Sequence, residues 1–287
     1  MAAEANTDSR YAAIDEALTS WRQGDCVIGE HWFVHRFDPA FPATAEARTA
    51  AASPAPEPDI AETQVAGLII VSQTCDVVRS CAERPYIEVC PLVEVDAAAL
   101  RQIERGRRPR YGFVPLLSDR KLVADLDRTM TVEKPVVVTW ERFAGWRTDT
   151  QARAFAASLA RKRVRFAFPD DFTVLVRALE SRLTEKHDKE SEEGRALRAL
   201  REIRIHAAPS WDDLAVTLTF WFVRPDEAGD FHGESWSTFV EKWLRLVPEG
   251  GRFVSVQGQV TALEDMTAAD YVGSDPLDLD HLSGRSG

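Results

Sequence analysis

The sequence predicts an α+β protein, with a small, strongly bent β-sheet or barrel in the N-terminal half and a helical segment plus a second small sheet in the C-terminal half. Three observations carry this expectation. Leu68-Ile-Ile-Val71 is an apolar, β-branched-rich run with no polar member, the pattern of a strand buried on both faces. Short strand-like runs separated by turn signals recur through residues 26–140. Beyond Gly145 the apolar spacing becomes helical, and the final third reads β-β-α-β, a unit that packs one helix on a small sheet.

In chain order, residues 9–21 place Tyr11, Ile14, Ala17, Leu18 and Trp21 on one helical face. Gln23-Gly24-Asp25 ends that helix, and residues 26–37 read as a strand or strand pair broken near Gly29. Residues 38–64 are rich in Ala, Pro, Glu and Thr, bury too little apolar surface to offset ordering entropy, and read as a mobile insertion. Residues 86–95 form the next strand. Asp96 caps a helix through residue 105, and strand-like pieces follow at 111–117, 121–126 and 135–140. Helices are expected at 148–165 and from Pro169 onward, where Phe172, Leu175, Val176, Leu179 and Leu183 make an apolar stripe. Residues 185–194 read as a charged break. Strands at 203–208, 214–224 and 252–263 and a helix at 235–246 complete the chain. The expected domains are 1–145, containing the insertion 38–64, and 146–287, ending in an acidic tail.

The chain has 287 residues, 45% hydrophobic and 28% charged, enough for one large or two ordinary domains around substantial cores. No apolar run approaches the roughly 18 to 20 residues of a membrane span, and Met1-Ala-Ala-Glu-Ala-Asn6 has no signal-peptide pattern, so the expected location is cytoplasmic. A formal net charge of -11 argues against a protein that coats nucleic acid. The charge is uneven, with arginines gathered at 101–110 and basic residues at 147–165, while 264–280 is acidic. The cysteines Cys26, Cys75, Cys81 and Cys90 show no CxxC and no zinc-finger spacing, so reduced thiols are expected and neither a metal nor a cofactor. A zinc set of Cys75 and Cys81 with His31 or His35 is the alternative.

Gly24-Asp25-Cys26-Val27, the apolar strand Leu68-Ile-Ile-Val-Ser72, and Val89-Cys90-Pro91-Leu92 together resemble the MazF/PemK-like toxin barrel, over residues 23 to about 140. The resemblance implies an SH3-like barrel and an RNA-interacting, toxin-antitoxin or defence-associated role. Where many members of that family carry Arg-Pro before the second apolar strand, this chain has Val65-Ala66-Gly67. Charge for a scissile phosphate would then come from Arg79 or from an arginine of the 107–110 stretch.

The polar residues at the end of the central strand are the candidate site. Thr74, Cys75, Asp76 and Arg79 are the candidate catalytic residues, with Ser72 at the head of the cluster. Cys75 would be a nucleophile and Asp76 a metal-binding or general-base carboxylate, but Asp76 opposes a neighbouring thiolate, so a cation or histidine must come from elsewhere in the fold. Arg107, Arg108, Arg110 and His35 are the candidate RNA- or partner-binding residues. The structural alternative is that Ser72, Thr74 and Asp76 hydrogen-bond strand-end backbone. Three functions follow: an RNA-interacting protein, a non-enzymatic partner subunit, and a Cys/Asp-dependent hydrolase. The expected function is an interaction or defence-associated role, and the alternative is RNA cleavage or hydrolysis by residues 72–76. Leu277-Asp-Leu-Asp-His-Leu282 is a candidate docking peptide.

Overall fold

The computed structural model describes residues 2–52, 59–104, 106, 108–163, 166–224 and 235–277, with side chains from residue 10 onward. The fold is α+β. It divides into two compact units, residues 1–165 and 166–287.

In the first unit, α1 (Ala2–Leu18) leads into β1 (Cys26–Arg36), α2 (Ala45–Ala51), β2 (Ile60–Ile70), α3 (Thr74–Val77) and β3 (Tyr86–Glu94). Then come α4 (Ala97–Glu104), β4 (Tyr111–Gly112), a 3-10 turn (Pro115–Arg120), β5 (Leu122–Asp125), β6 (Met130–Glu133), α5 (Lys134–Val137) and α6 (Asp149–Arg163). The antiparallel sheet runs β1-β2-β3-β5-β4, with β6 also pairing β3. Leu122 to Ala124 face Glu94 to Leu92, and Met130 to Glu133 face Val89 to Tyr86. β5 and β6 therefore line one edge of β3 end to end, interrupted by residues 126–129. Among the described residues no strand pairing closes this sheet into a barrel.

The expectation of a strand buried on both faces holds for Leu68, Ile69, Ile70 and Val71, each 3% exposed or less. Leu68 and Ile70 point into a core with Ile14, Leu18 and Trp21 of the α1 region and Val137 of α5. Ile69 and Val71 point into a second core with Leu117 and with Phe155 and Leu159 of α6. That second core corrects the expected boundary at 145: α6 packs on the first sheet, so the division falls at 165. Gly145 also binds into this unit, since a Cβ there would lie 2.0 Å from the Gly24 carbonyl oxygen.

Two further expectations are overturned. Residues 38–64 are not one mobile insertion. Thr44 caps α2 by accepting from the Ala47 amide at 3.1 Å, Ala47 is buried, and residues 60–64 pair with 32–36 of β1. Residues 53–58 lie outside the described residues. Residues 135–140 are not a strand: Pro135 opens α5, where its fixed φ suits a first helical turn.

The second unit comprises α7 (Asp170–His187), α8 (Glu192–Ala199), β7 (Glu202–Ala208), β8 (Val216–Arg224), α9 (Trp236–Leu244), β9 (Phe253–Ala262), α10 (Ala268–Val272) and β10 (Asp275–Pro276). Its sheet order is β10-β7-β8-β9, with β8 and β9 parallel. The predicted α7 stripe is the core face: Phe172, Val176, Leu179 and Leu183 are buried, with Leu175 packed beside them. Helix α8 occupies part of the expected charged break because Ser191 caps it and Glu193 turns inward. Among the described residues no helix is long and apolar enough to cross a membrane.

Glu193 is the polar centre of this unit. Its side chain, 6% exposed, accepts from Arg182 at 3.0 and 2.6 Å and from the Trp243 indole at 3.1 Å, and pairs with Lys242 at 3.1 Å. Burial opposes its ionisation, but the hydrogen bonds from Arg182, Lys242 and Trp243 outweigh burial and hold the carboxyl below its ordinary value of 4.5. The stabilisation is therefore present above the unfolded-state value and is lost as pH falls through the lower folded one. We expect Glu193→Gln to lower stability at neutral pH by about 3 kcal/mol and to flatten the acid-side loss, in urea unfolding followed by circular dichroism. A wild-type pH profile retained by the variant would contradict this account.

Candidate functional site

β2 runs antiparallel to β1, so its C-terminal end meets the segment just before β1. The polar cluster is therefore completed by residues 23–25, not by His35. The Gln23 amide donates to Thr74 Oγ1 at 3.1 Å, and Gln23 Nε2 donates to the Val71 carbonyl at 2.8 Å. Ser72 Oγ accepts from the Glu88 amide at 2.8 Å, tying the strand end to β3. Ser72 and Thr74 thus satisfy backbone groups.

Cys75 is exposed, and its thiol reaches Gln73 Oε1 at 3.5 Å. Asp76 is half-buried, and the cation that acts on it is Lys134, which was not among the expected site residues. Lys134 is fully buried and donates to the carbonyl of Arg79. Burial pushes its ammonium below lysine's ordinary value, against the pull of Asp15, Cys81 and Asp76. Asp15 also accepts from the Cys81 amide at 2.6 Å. Lys134 therefore secures the loop after α3 to α5, while the Arg79 side chain points outward.

Asp25, 1% exposed, accepts from the Arg22 amide at 2.8 Å and from Arg142 Nε at 2.6 Å. Burial raises its carboxyl value despite these partners. The Trp146 indole donates to the Gln23 carbonyl at 2.9 Å. The Gly24-Asp25 pair is thus a buried joint at the start of β1. The signal for it lay in the antiparallel pairing, which brings residues before β1 to the end of β2.

The expected basic site residues do not gather at the cluster. Arg110 makes a two-point contact with the buried carboxylate of Asp125, at 3.3 and 3.1 Å, and reaches Asp127 at 3.4 Å. Arg128 holds the same Asp125 at 2.8 Å, and Lys162 pairs with Asp127. Burial opposes ionisation of Asp125, yet Arg110 and Arg128 hold it below its ordinary range. Arg108 donates to Gln102 at 2.7 Å. Arg107 lies outside the described residues. His35 sits opposite Ala61 and stacks on Phe33 at 6.2 Å. It is therefore about 36 Å along the strand path from Ser72, at ~3.3 Å per residue. Among the described residues no three His, Cys, Asp or Glu side chains converge as metal ligands, so Cys75 and Cys81 do not come together with either His31 or His35.

A separate feature lies between β1 and β6. A groove of about 490 Å³ is lined by His31, Trp32 and Val34 on one side and by Met130, Val136 and Trp140 on the other. Trp32 is 56% exposed and Val136 46%. His31 packs edge-on against Trp140 at 5.8 Å, and burial lowers its pKa.

Compared with known proteins, the chain matches no family, no curated protein and no solved structure. The MazF/PemK resemblance rests on its short motifs.

The four thiols differ sharply in setting. Burial pushes Cys26 up to about 12 and Cys90 to about 11, and raises Cys81 as well, whereas Cys75 is exposed. A thiol-disulfide reagent should titrate a single cysteine rapidly in the native protein and all four only after unfolding. Cys75→Ser should abolish the fast phase with a stability change within about 0.5 kcal/mol. A fast phase that survives Cys75→Ser would refute this assignment.

Proposed function

We propose that this chain is a cytoplasmic, non-enzymatic interaction protein whose first unit binds an extended segment of a partner protein in the groove between β1 and β6. The observation that carries the reading is the groove itself: Trp32, Val34 and Val136 leave apolar surface exposed where two strands present edges not paired to each other. Aromatic side chains set in such a cleft are the usual anchors of protein recognition. The motifs shared with MazF/PemK-like toxins favour a toxin-antitoxin or defence setting for the partner.

The alternative, RNA cleavage or Cys/Asp-dependent hydrolysis at residues 72–76, draws less support. Ser72 and Thr74 are occupied by backbone amides, and Cys75 has Gln73 rather than a base as its hydrogen-bond partner. RNA binding by Arg108 and Arg110 would compete with Gln102 and with Asp125.

Trp32→Ala should leave circular dichroism unchanged and weaken partner binding by about 30-fold, equivalent to about 2 kcal/mol, whereas Val174→Ala, an exposed site in the second unit, should not. The partner would be identified by native co-purification with tagged full-length chain and then titrated against each variant. Equal affinity in Trp32→Ala would overturn the groove assignment. Cleavage of labelled single-stranded RNA by wild type, lost in Cys75→Ala or Asp76→Asn, would instead establish the alternative.

A further inference from the structure

β9 is the edge strand of the second sheet, and its composition departs from that of protected edges. Its ten residues, Phe-Val-Ser-Val-Gln-Gly-Gln-Val-Thr-Ala, contain no charge and no proline. Edge strands in soluble proteins carry charges, prolines or bulges, or are very short, because their unpaired amides and carbonyls recruit other strands. Three other edges here carry such devices. β10 is two residues long and includes Pro276, β4 is two residues long, and β1 has a bulge between Ile28 and His31 and carries Glu30 and Arg36. β9 has a bulge of its own at Val254, near its start, and beyond it the register with β8 is regular from Ser255 to Ala262. Among the described residues no backbone hydrogen bond outside the β8 pairing reaches 254–261.

The strand is also a palindrome. Val256-Gln257-Gly258-Gln259-Val260 reads the same in both directions, flanked by Ser255 and Thr261. Val256 and Val260 pack only partly against the core of this unit, as does Leu244 of α9, so the core is left incomplete at this edge. Gln257 and Gln259 are exposed on the opposite face, where Gln257 Nε2 donates to Thr219 at 3.1 Å.

We propose that β9 pairs antiparallel with β9 of a second copy of this chain, about a two-fold axis at Gly258, to form one continuous eight-stranded sheet. This register sets Val256 opposite Val260 of the other copy, Gln257 opposite Gln259, and Ser255 opposite Thr261. Like meets like on both faces, as an isologous interface requires. A second copy is the occupant that the palindrome favours, since an identical strand matches it residue for residue, and although two chains of net charge -11 repel, this uncharged strip lets them meet without opposing carboxylates.

Sedimentation velocity of the full chain over a wide concentration range tests this, and the expected species is twice the 32.1 kDa monomer. Gln257→Lys/Gln259→Lys places ammonium opposite ammonium across the axis and should weaken the dimer about tenfold or more. Gln257→Lys/Gln259→Glu sets lysine opposite glutamate in both halves and should restore it, an outcome peculiar to this register. In wild type, amide exchange at 254–261 should slow as concentration rises, a readout independent of whether either variant folds. A wild type that stays monomeric, including one that takes up a foreign strand at this edge, overturns the proposal. So does a Lys/Lys variant that remains dimeric, a Lys/Glu variant as weak as Lys/Lys, or exchange at 254–261 that ignores concentration.

Discussion

The first unit depends on the burial of Leu68, Ile69, Ile70 and Val71 from both sides. A strand with apolar side chains on both faces needs two covering layers, and the chain supplies them from distant segments. α1 and α5 close over Leu68 and Ile70, and α6 with the 3-10 turn closes over Ile69 and Val71. At roughly 25 cal/mol per Å² of apolar surface removed from water, each fully buried Leu, Ile or Val contributes about 1.5 to 3 kcal/mol. The position of α6 in the first unit follows directly from this demand.

The same constraint makes the end of β2 structurally committed. A strand buried on both faces must have its terminal backbone groups satisfied without water: Gln23 Nε2 donates to the Val71 carbonyl and the Val71 amide to the Glu88 carbonyl, while Ser72 and Thr74 in turn accept from the Glu88 and Gln23 amides. Lys134 then secures the following loop through the Arg79 carbonyl, with Asp15, Cys81 and Asp76 acting on its charge. Around the sheet, Asp25 with Arg142 and Asp125 with Arg110 and Arg128 match charges across long sequence separations. An ammonium or guanidinium so engaged is poorly placed to activate Cys75. The exposed apolar surface lies at the groove beside Trp32 instead.

The second unit solves a similar problem with one covered face. α7, α8 and α9 bury Leu218, Phe220 and Phe222, and Glu193 satisfies the Trp243 indole inside that apolar layer. A buried carboxylate is tolerable there because it has three donors, and removing any of them would leave charge uncompensated. The opposite face carries Thr217, Thr219, Gln257 and Gln259, with Trp221 and the buried Val223 toward the end of β8. The edge along β9 is where the core's cover runs out.

Local pattern made much of this legible. The run at Leu68 to Val71, the α7 stripe, the Asp96 cap on Ala99 and the β-β-α-β order depend on neighbours a few residues apart, so the amino-acid sequence determined them by itself. The placement of α6 escaped it because a surface far away in sequence decided it, whereas the helix in residues 45–51 and the short helix at Pro135 had local signals, the Thr44 cap and a proline in the first turn, that composition and the β-branched run obscured. The candidate site divides in the same way. The sequence alone located the polar cluster at the end of the central strand. Only the tertiary structure decided that Gln23 and Lys134, rather than Arg110 or His35, would stand beside it. Antiparallel pairing sends β1's far end away from that cluster, and the buried Asp125 holds Arg110 elsewhere.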